Sequence, residues 1–255
     1  MKKYDAVILA GGVNSGELRK VAPFENEALI IIGSSPMICY VQKALKETSC
    51  VGDVVISCPG DSIRQIFNEE DKLVFVNSGE DAMESFANAV SFTKTDKVLV
   101  LPADIPFITP EAISDFVASC EEYEADVYYP LVSREVNEAR FPGVKRTYVK
   151  LRQGVFTGGN LFMVRAEAII KVLDMGKKLV ANRKHPLSIV RLFGTDLVFK
   201  YITGKLSLPD VEKRFEDVLG IKGKAIISQY AEVGVDVDKP SDLKLAEEVL
   251  GRREG

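Results

Sequence analysis

The chain has no tryptophan, a single histidine at position 185 and only four cysteines. The cysteines are scattered, without a Cys-x-x-Cys pair or a neighbouring histidine, at Cys39, Cys50, Cys58 and Cys120. This spacing disfavours a zinc site. It predicts reduced cysteines that pack in the core of a cytoplasmic protein.

Long apolar runs and an excess of positive charge are also missing. No stretch approaches the roughly 18 consecutive apolar residues that a membrane-spanning helix requires, and the run that begins at Ala6 is too short for a signal-peptide core. The chain carries 33 Lys and Arg against 37 Asp and Glu, a formal net charge of -4. Because binding to a nucleic-acid backbone requires a basic excess, we expect neither a nucleic acid nor a membrane as a partner.

The sequence does contain enough apolar side chains to build a core. Of its 255 residues, 46% are hydrophobic and 27% are charged, which is typical of a globular domain. No internal repeat, low-complexity tract or Ser/Gly linker divides the chain. We therefore predict one domain over residues 1–255, with a basic loop at 133–153 and a helical insertion at about 176–223.

Alternating apolar patterns predict the fold class. Short β-branched and leucine runs indicate buried strands at residues 7–9, 54–56, 73–76 and 98–101. Apolar spacing near 3.6 residues predicts helices at 37–45, from 61, at 82–90 and from 110. Further strands are expected at 127–129, 156–164, 225–227 and 233–237, and Pro240 opens a last helix. This rhythm predicts a three-layer α/β fold, with a mostly parallel twisted sheet flanked by helices.

Two loops that follow predicted strands carry candidate functional residues, because ligands of an open parallel sheet bind beyond the carboxyl ends of its strands. Three glycines between Gly11 and Lys20 let backbone N–H groups approach an anion, and Arg19 and Lys20 add positive charge. The alternative is a flexible loop. Asp104 follows a central strand between two prolines and is a hard oxygen ligand suited to Mg²⁺ beside a phosphate. The alternative for Asp104 is a cap on the next turn.

Two further carboxylates lie near the C-terminus, at Asp236 and Asp238. In an extended backbone, residues two apart face the same side, although only one of the two needs to reach a site. The alternative is that Asp238 only caps the last helix.

Together these stretches resemble the MobA-like nucleotidyltransferases, which share the GT-A-type, nucleotide-diphospho-sugar transferase-like fold. The family includes molybdopterin guanylyl- and cytidylyltransferases, methylerythritol-phosphate cytidylyltransferases and sugar-acid CMP synthetases. Residues 5–12 resemble the ILAGG start of the family, and residues 33–38 its GKPMI step into the first helix. Residues 101–106 resemble the strand end whose Asp binds metal, and residues 235–243 resemble the terminal VDTPEDL stretch.

The resemblance implies a Mg²⁺-dependent transfer of an NMP moiety from an NTP to a small phosphorylated or hydroxylated acceptor, with release of pyrophosphate. It implies Asp104 and Asp238 as metal ligands, and Asp104, Arg19 and Lys20 as the catalytic set. The implied nucleotide-binding residues are Leu9, Ala10, Gly11, Gly12, Gly79 and Ser85. Gly159 and Asn160 occupy the acceptor side in this comparison.

The sequence also departs from the family pattern. In the loop, the arginine is displaced to Arg19, and Glu27 stands where the family has a lysine, so that its negative charge would repel a triphosphate. A nucleotide-binding regulatory module with lost or weak turnover therefore stays open as an alternative. A glycosyltransferase of the same fold is disfavoured, because the mid-chain site has a lone Asp104 rather than Asp-x-Asp. The basic part of the insertion is interpreted as an acceptor site or a lid, or else as a solvated face or a homodimer contact.

Overall fold

The predicted strands of the first half form the centre of one large sheet in a computed structural model that describes residues 2–168, 170–173 and 194–251. The strands are β1 (Tyr4–Leu9), β2 (Ile31–Ile32), β3 (Ser35–Pro36), β4 (Val51–Cys58), β5 (Val74–Asn77), β6 (Lys97–Pro102), β7 (Val127–Ser133), β8 (Val149–Leu151), β9 (Gly154–Gly158), β10 (Phe162–Arg165) and β11 (Gly223–Ser228). The α-helices include α1 (Gly16–Val21), α2 (Met37–Glu47), α3 (Ala82–Val90), α4 (Pro110–Glu121), α5 (Arg134–Arg140), α6 (Thr195–Ile202), α7 (Leu208–Leu219) and α8 (Pro240–Leu250).

The main sheet is mixed but mostly parallel. Its strands follow the order β5-β4-β1-β6-β10-β7, and β11 pairs with β7 in parallel. The register places Ile8 of β1 between Ile56 of β4 and Leu101 of β6. Strand β10 runs antiparallel to both β6 and β7. The carboxyl ends of the parallel strands consequently share one edge, where the predicted site residues lie.

Helices cover both faces of this sheet, which confirms the predicted three-layer fold. Ile8 of β1 belongs to the larger core cluster, together with Ile38 of α2 and Phe116 of α4. Its neighbour Val7 points to the opposite face and belongs to a second cluster with Phe86 of α3. This alternation is the pattern of a strand buried on both faces.

Two predictions about regular elements in the first half have opposite outcomes. The predicted helix from Pro110 is confirmed, and Thr109 caps it by accepting the Ala112 N–H at 3.2 Å. The predicted helix from Asp61 is wrong, because this segment contains only a short 3-10 turn at Arg64–Ile66. Ile63 is the only fully buried side chain between residues 61 and 68, so no apolar stripe fixes a longer helix on the sheet.

Three predictions in the second half need correction. The strand predicted at 156–164 is interrupted at residues 159–161 and forms β9 and β10. The segment predicted as a basic loop at 133–153 contains α5 and β8. Residues 233–237 form no strand, because a 3-10 turn at Ala231–Gly234 leads into an extended segment. Val233 and Val237 in this segment bond to two different neighbours, the N–H of Asn160 and the carbonyl of Asp104, rather than to one strand.

The remaining observations concern the whole chain. The four cysteines are free, as predicted. Among the described residues, none of the helices combines the length and the apolar character that crossing a membrane requires. Residues 176–193 of the predicted insertion, including His185, lie outside the described residues, whereas α6 and α7 account for helical structure between 195 and 219.

Candidate active site

Three carboxylates meet beyond the carboxyl end of β6. One oxygen each from Asp104, Asp236 and Asp238 lies within 4.8 Å of the others; we call these residues the carboxylate cluster. Val235 and Val237 are fully buried, and in the extended segment the alternate residues Asp236 and Asp238 face away from that core. The Val237 N–H donates to the Asp104 carbonyl at 2.9 Å, which fixes the tail segment beside the β6 loop.

The environment of Asp104 disfavours an isolated negative charge on its carboxylate. Its Oδ1 is enclosed and has no hydrogen-bond partner among the described residues. The pKa of Asp104 is raised to about 8, first by burial and then by the negative charges of Asp236, Asp238 and Glu27. An unpaired oxygen among clustered carboxylates fits a divalent cation, since Mg²⁺ takes hard oxygen ligands. The donor set therefore fits the ion that the family resemblance implies.

Asp236 is engaged by a cation from a different part of the chain. Nη1 of Arg146 donates a hydrogen bond to Asp236 Oδ1, and the two side chains are 16% and 20% exposed. Arg146 lies between α5 and β8, in the segment that the sequence predicts as a basic loop. The carboxylate cluster is thus joined to this segment by a largely enclosed ion pair.

The glycine-rich loop leaves β1 next to the site. The carbonyl of Leu9 accepts the Ala103 N–H at 3.0 Å, which ties the loop to the residue before Asp104. Ala10 is buried, and Asn26 Nδ2 donates to its carbonyl at 2.8 Å. Gly11 and Gly12 are exposed. The approach of a phosphate to their backbone stays a prediction.

The charged residues of this loop have partners within the loop. Arg19 lies 3.5 Å from a Glu25 oxygen and donates to the Phe24 carbonyl, and Lys20 lies 2.5 Å from Glu17. Glu27 lies directly over the loop, since a Cβ on Gly12 would be 2.6 Å from its Oε2. The phosphate-binding roles of Arg19 and Lys20 stay predictions.

Gly79 lies in the turn between β5 and α3, and Ser85 lies within α3. The Gly79 N–H donates to Ser85 Oγ at 3.0 Å, and Ser85 is buried. A Cβ on Gly11 would contact Ser78 at 3.4 Å, so this turn lies against the glycine-rich loop. The contacts of Gly79 and Ser85 with base or ribose stay predictions.

Gly159 and Asn160 occupy the break between β9 and β10. The Asn160 N–H donates to the Val233 carbonyl at 2.7 Å, and the side-chain Nδ2 of Asn160 is enclosed without a hydrogen-bond partner in the described part of the chain. Phe162 pairs with Val100 in the antiparallel register, so Asn160 lies near the end of β6, where Asp104 follows. Gly159 has no room for a side chain, because a Cβ would be 2.7 Å from the Val233 oxygen. Their acceptor roles stay predictions.

Two features of the site go beyond the sequence analysis. Asp236 joins the carboxylate cluster as a third member, a possibility that the two-residue spacing with Asp238 already signalled. The contact of Arg146 with Asp236 joins residues 90 positions apart and has no signal in the local sequence.

Comparisons with known proteins agree with this geometry. Residues 6–198 match the family profile of the MobA-like NTP transferase domain. The solved structure of a hypothetical transferase from Thermus thermophilus is 34% identical, with a TM-score of 0.81, and the match covers 94% of this chain and 99% of that chain.

Two more distant relatives carry names of nucleotidyltransferases. A 2-C-methyl-D-erythritol 4-phosphate cytidylyltransferase from Chlorobium phaeobacteroides (strain BS1) is 27% identical over 48% of this chain and 54% of the relative, so the chain spans about half the length of that curated protein. A CMP:2-keto-3-deoxy-manno-octonic acid synthetase complexed with CTP has a TM-score of 0.61 at 13% identity, covering 99% of this chain and all of that one. The latter likeness shows the fold alone.

Proposed function

The chain belongs to the MobA-like NTP transferase family, and from this premise we propose that it transfers an NMP moiety from an NTP to a small phosphorylated or hydroxylated acceptor and releases pyrophosphate. The carboxylate cluster at the carboxyl edge of the sheet is the observation that carries this proposal. The name of the curated relative supports the reaction type, since that protein is a cytidylyltransferase. The free cysteines support a cytoplasmic location.

Asp104, Asp236 and Asp238 would together hold Mg²⁺ in this proposal. When bound, the ion neutralises charge that develops on the phosphate oxygens during transfer. The enclosed Oδ1 of Asp104 gains the partner that it lacks in the free protein. A hydrogen-bond donor of Asn160, its enclosed Nδ2, orients the acceptor or a phosphate on the adjacent side.

The glycine-rich loop binds the triphosphate in this proposal. Gly11 and Gly12 are exposed and offer backbone N–H donors, and the Glu27 side chain that lies over Gly12 has to turn away to admit a triphosphate. The ion pairs of Arg19 and Lys20 do not prevent these residues from turning to a phosphate, because pairs with exposed partners contribute only about 0–1 kcal/mol. Glu25 is 91% exposed and Glu17 72% exposed. A triphosphate therefore competes for both cations at low cost.

The alternative function is a nucleotide-binding regulatory module without turnover. The observation that favours it is the position of Glu27, whose carboxylate lies over Gly12 and whose charge reaches Asp104. Such a carboxylate repels a triphosphate unless a cation lies between them.

The decisive experiment replaces one ligand of the carboxylate cluster. Thermal stabilisation by each NTP with Mg²⁺ identifies the nucleotide, and pyrophosphate release is then measured with a panel of phosphorylated and hydroxylated acceptors. We expect Asp104→Asn to lower pyrophosphate release by about a hundredfold or more, because the central anionic ligand is lost. The matched control is Asp115→Asn, which changes an exposed carboxylate on α4 in the same manner.

The outcomes separate the two functions. Release of pyrophosphate by the wild type and by Asp115→Asn, but not by Asp104→Asn, supports the transferase. Stabilisation by an NTP without pyrophosphate release for any acceptor favours the regulatory module. Full activity of Asp104→Asn contradicts the assignment of the site.

A further inference from the structure

The ion pair between Arg146 and Asp236 is more enclosed than the ion pairs of Arg19 and Lys20 in the glycine-rich loop. Arg146 and Asp236 are 16% and 20% exposed, whereas Arg19 and Lys20 are 41% and 69% exposed. Water and salt screen an enclosed pair much less than an exposed one. Arg146 therefore acts on the carboxylate cluster with a larger effective charge than the loop cations do.

The segment that carries Arg146 is held at both ends. Phe141 is buried and its ring centre lies 5.0 Å from that of Phe107, which follows Asp104 in the β6 loop. At the other end, Asn137 Nδ2 donates to the Tyr148 hydroxyl at 3.0 Å. These anchors keep residues 141–148 against the site. Arg146 is consequently a fixed part of the surroundings of the cluster.

A guanidinium at Asp236 has two opposite effects on ligands. It takes up one oxygen of a carboxylate that the cluster offers to a divalent ion, and its charge repels that ion. It also attracts phosphate, because arginine has five N–H donors and uses only some of them for one carboxylate oxygen. A triphosphate that arrives with the ion therefore gives Arg146 a second anionic partner and offsets the repulsion.

From this arrangement we propose that Arg146 is a positioning residue that weakens binding of a divalent ion alone and favours its binding together with the triphosphate. This inference rests on the proposed function, since it describes how the same site is loaded. Arg146 acts on the ion through Asp236 and on the triphosphate by direct contact, and in this way sets the order in which the ligands enter. The free protein then does not fill its site with metal in the absence of nucleotide.

A purely structural role of Arg146 predicts the opposite sign. If Arg146 only orients Asp236 for the metal, its removal weakens metal binding, as loss of a supporting contact does at other metal sites. If Arg146 competes with the metal, its removal tightens metal binding. The direction of the change in metal affinity decides between the two roles.

The test measures Mn²⁺ as a paramagnetic substitute for Mg²⁺ by titration of the free ion signal in electron paramagnetic resonance. We expect Arg146→Met to bind Mn²⁺ alone at least about tenfold more tightly than the wild type, since an adjacent positive charge has been removed. The same variant should show a raised KM for the Mn²⁺–NTP complex, with a smaller change in kcat. Arg146→Lys keeps the charge and should stay close to the wild type in Mn²⁺ affinity.

The matched control is Lys145→Met, which removes the neighbouring exposed cation outside the contact with Asp236. It should leave both Mn²⁺ affinity and KM unchanged. Thermal melting of each variant verifies that it is folded before the titration, and Arg146→Gln, which also removes the charge, carries the test if Arg146→Met does not fold. In that case tighter Mn²⁺ binding by Arg146→Gln than by the wild type supports the inference, and unchanged or weaker binding overturns it.

Each of the other possible results contradicts one part of the proposal. Unchanged or weaker Mn²⁺ binding by a folded Arg146→Met overturns the competition between Arg146 and metal. Tighter Mn²⁺ binding with an unchanged KM overturns the contact with the triphosphate. If no NTP binds to the wild type at all, the proposed function has failed, and this outcome is distinguishable because it does not depend on Arg146.

Discussion

Two residues of the site have enclosed polar atoms without a hydrogen-bond partner among the described residues. These atoms, Asp104 Oδ1 and Asn160 Nδ2, have no such partner within the residues that the structure describes, although buried polar groups are normally hydrogen-bonded. Their unsatisfied groups are complementary, one an acceptor and the other a donor. Both atoms belong to loops at the same edge of the sheet, where a bound ligand would supply the missing hydrogen-bond partner or metal contact.

Gly159 provides a prediction at this scale. Its missing side chain lets the break between β9 and β10 approach the tail, since a Cβ would lie 2.7 Å from the Val233 oxygen and 2.9 Å from Pro130 Cγ. We expect Gly159→Ala to lower the free energy of unfolding by about 1–3 kcal/mol, because the added methyl group overpacks the contact. Urea unfolding measures this loss.

Gly251→Ala is the control for that measurement. A Cβ at Gly251 would meet nothing closer than 3.9 Å, so its stability should stay within about 0.5 kcal/mol of the wild type. A Gly159→Ala protein as stable as this control contradicts the close approach.

The first and last residues of a helix are fixed by hydrogen bonds at its ends as well as by its apolar face. Helix α7 begins after Ser207, which donates two hydrogen bonds to one carboxylate oxygen of Asp210. The Ser207 N–H donates at 3.0 Å and its hydroxyl at 2.6 Å. Lys200 of α6 contacts the other oxygen of Asp210 at 2.5 Å. One carboxylate thus starts α7 and joins it to the preceding helix.

This arrangement gives a pH-dependent prediction. The contacts with Lys200 and Ser207 lower the pKa of Asp210 to about 2. A carboxyl group whose pKa is lower in the folded protein stabilises it above the unfolded pKa of about 4, and this contribution is lost as the pH falls towards 2. We expect Asp210→Asn to be less stable than the wild type at pH 7. The difference in urea midpoint should shrink between pH 4 and pH 2.

Ser207→Ala separates the cap from the charge. It should lower the free energy of unfolding by about 1 kcal/mol. Because Lys200 still contacts Asp210 in this variant, part of the pH dependence should persist. A difference between Asp210→Asn and the wild type that is constant from pH 7 to pH 2 would disprove the role of the ionised Asp210.

The whole molecule depends on how the tail returns to the start of the sheet. Val233, Val235 and Val237 are fully buried and belong to the same core cluster as Ile8 of β1. The Val237 amide bonds to the Asp104 carbonyl at 2.9 Å. Folding of the tail and assembly of the carboxylate cluster are therefore one event.

We predict that Val237→Ala lowers the free energy of unfolding by roughly 2 kcal/mol, from the loss of two buried methyl groups and the cavity that remains. Val21→Ala on α1 is the control, since Val21 is 58% exposed and should change stability by less than about 0.5 kcal/mol. Hydrogen exchange provides the second measurement. The Val237 amide should exchange as slowly as the amides of β1, and fast exchange would show that the tail opens separately.

Local patterns account for the parts of the fold that the sequence predicted correctly. The β-branched runs of β1, β4 and β6 and the apolar stripes of α3 and α4 depend on near neighbours in the chain. The segment after Asp61 was predicted as a helix because its pattern is locally compatible with one. Only Ile63 of this segment is fully buried, while Ile66 and Phe67 are partly buried against the core, and this tertiary condition has no local signal.

The sequence by itself determined which loops carry the candidate functional residues. Along the chain these are a glycine-rich turn, a carboxylate after a central strand, and a tail with alternating carboxylates. Only the tertiary structure decided that both tail carboxylates join Asp104 and that Arg146 contacts one of them. The physical reason is range. A strand or a helix is specified by side chains a few residues apart, whereas an ion pair across 90 residues exists only after packing has brought the two segments together.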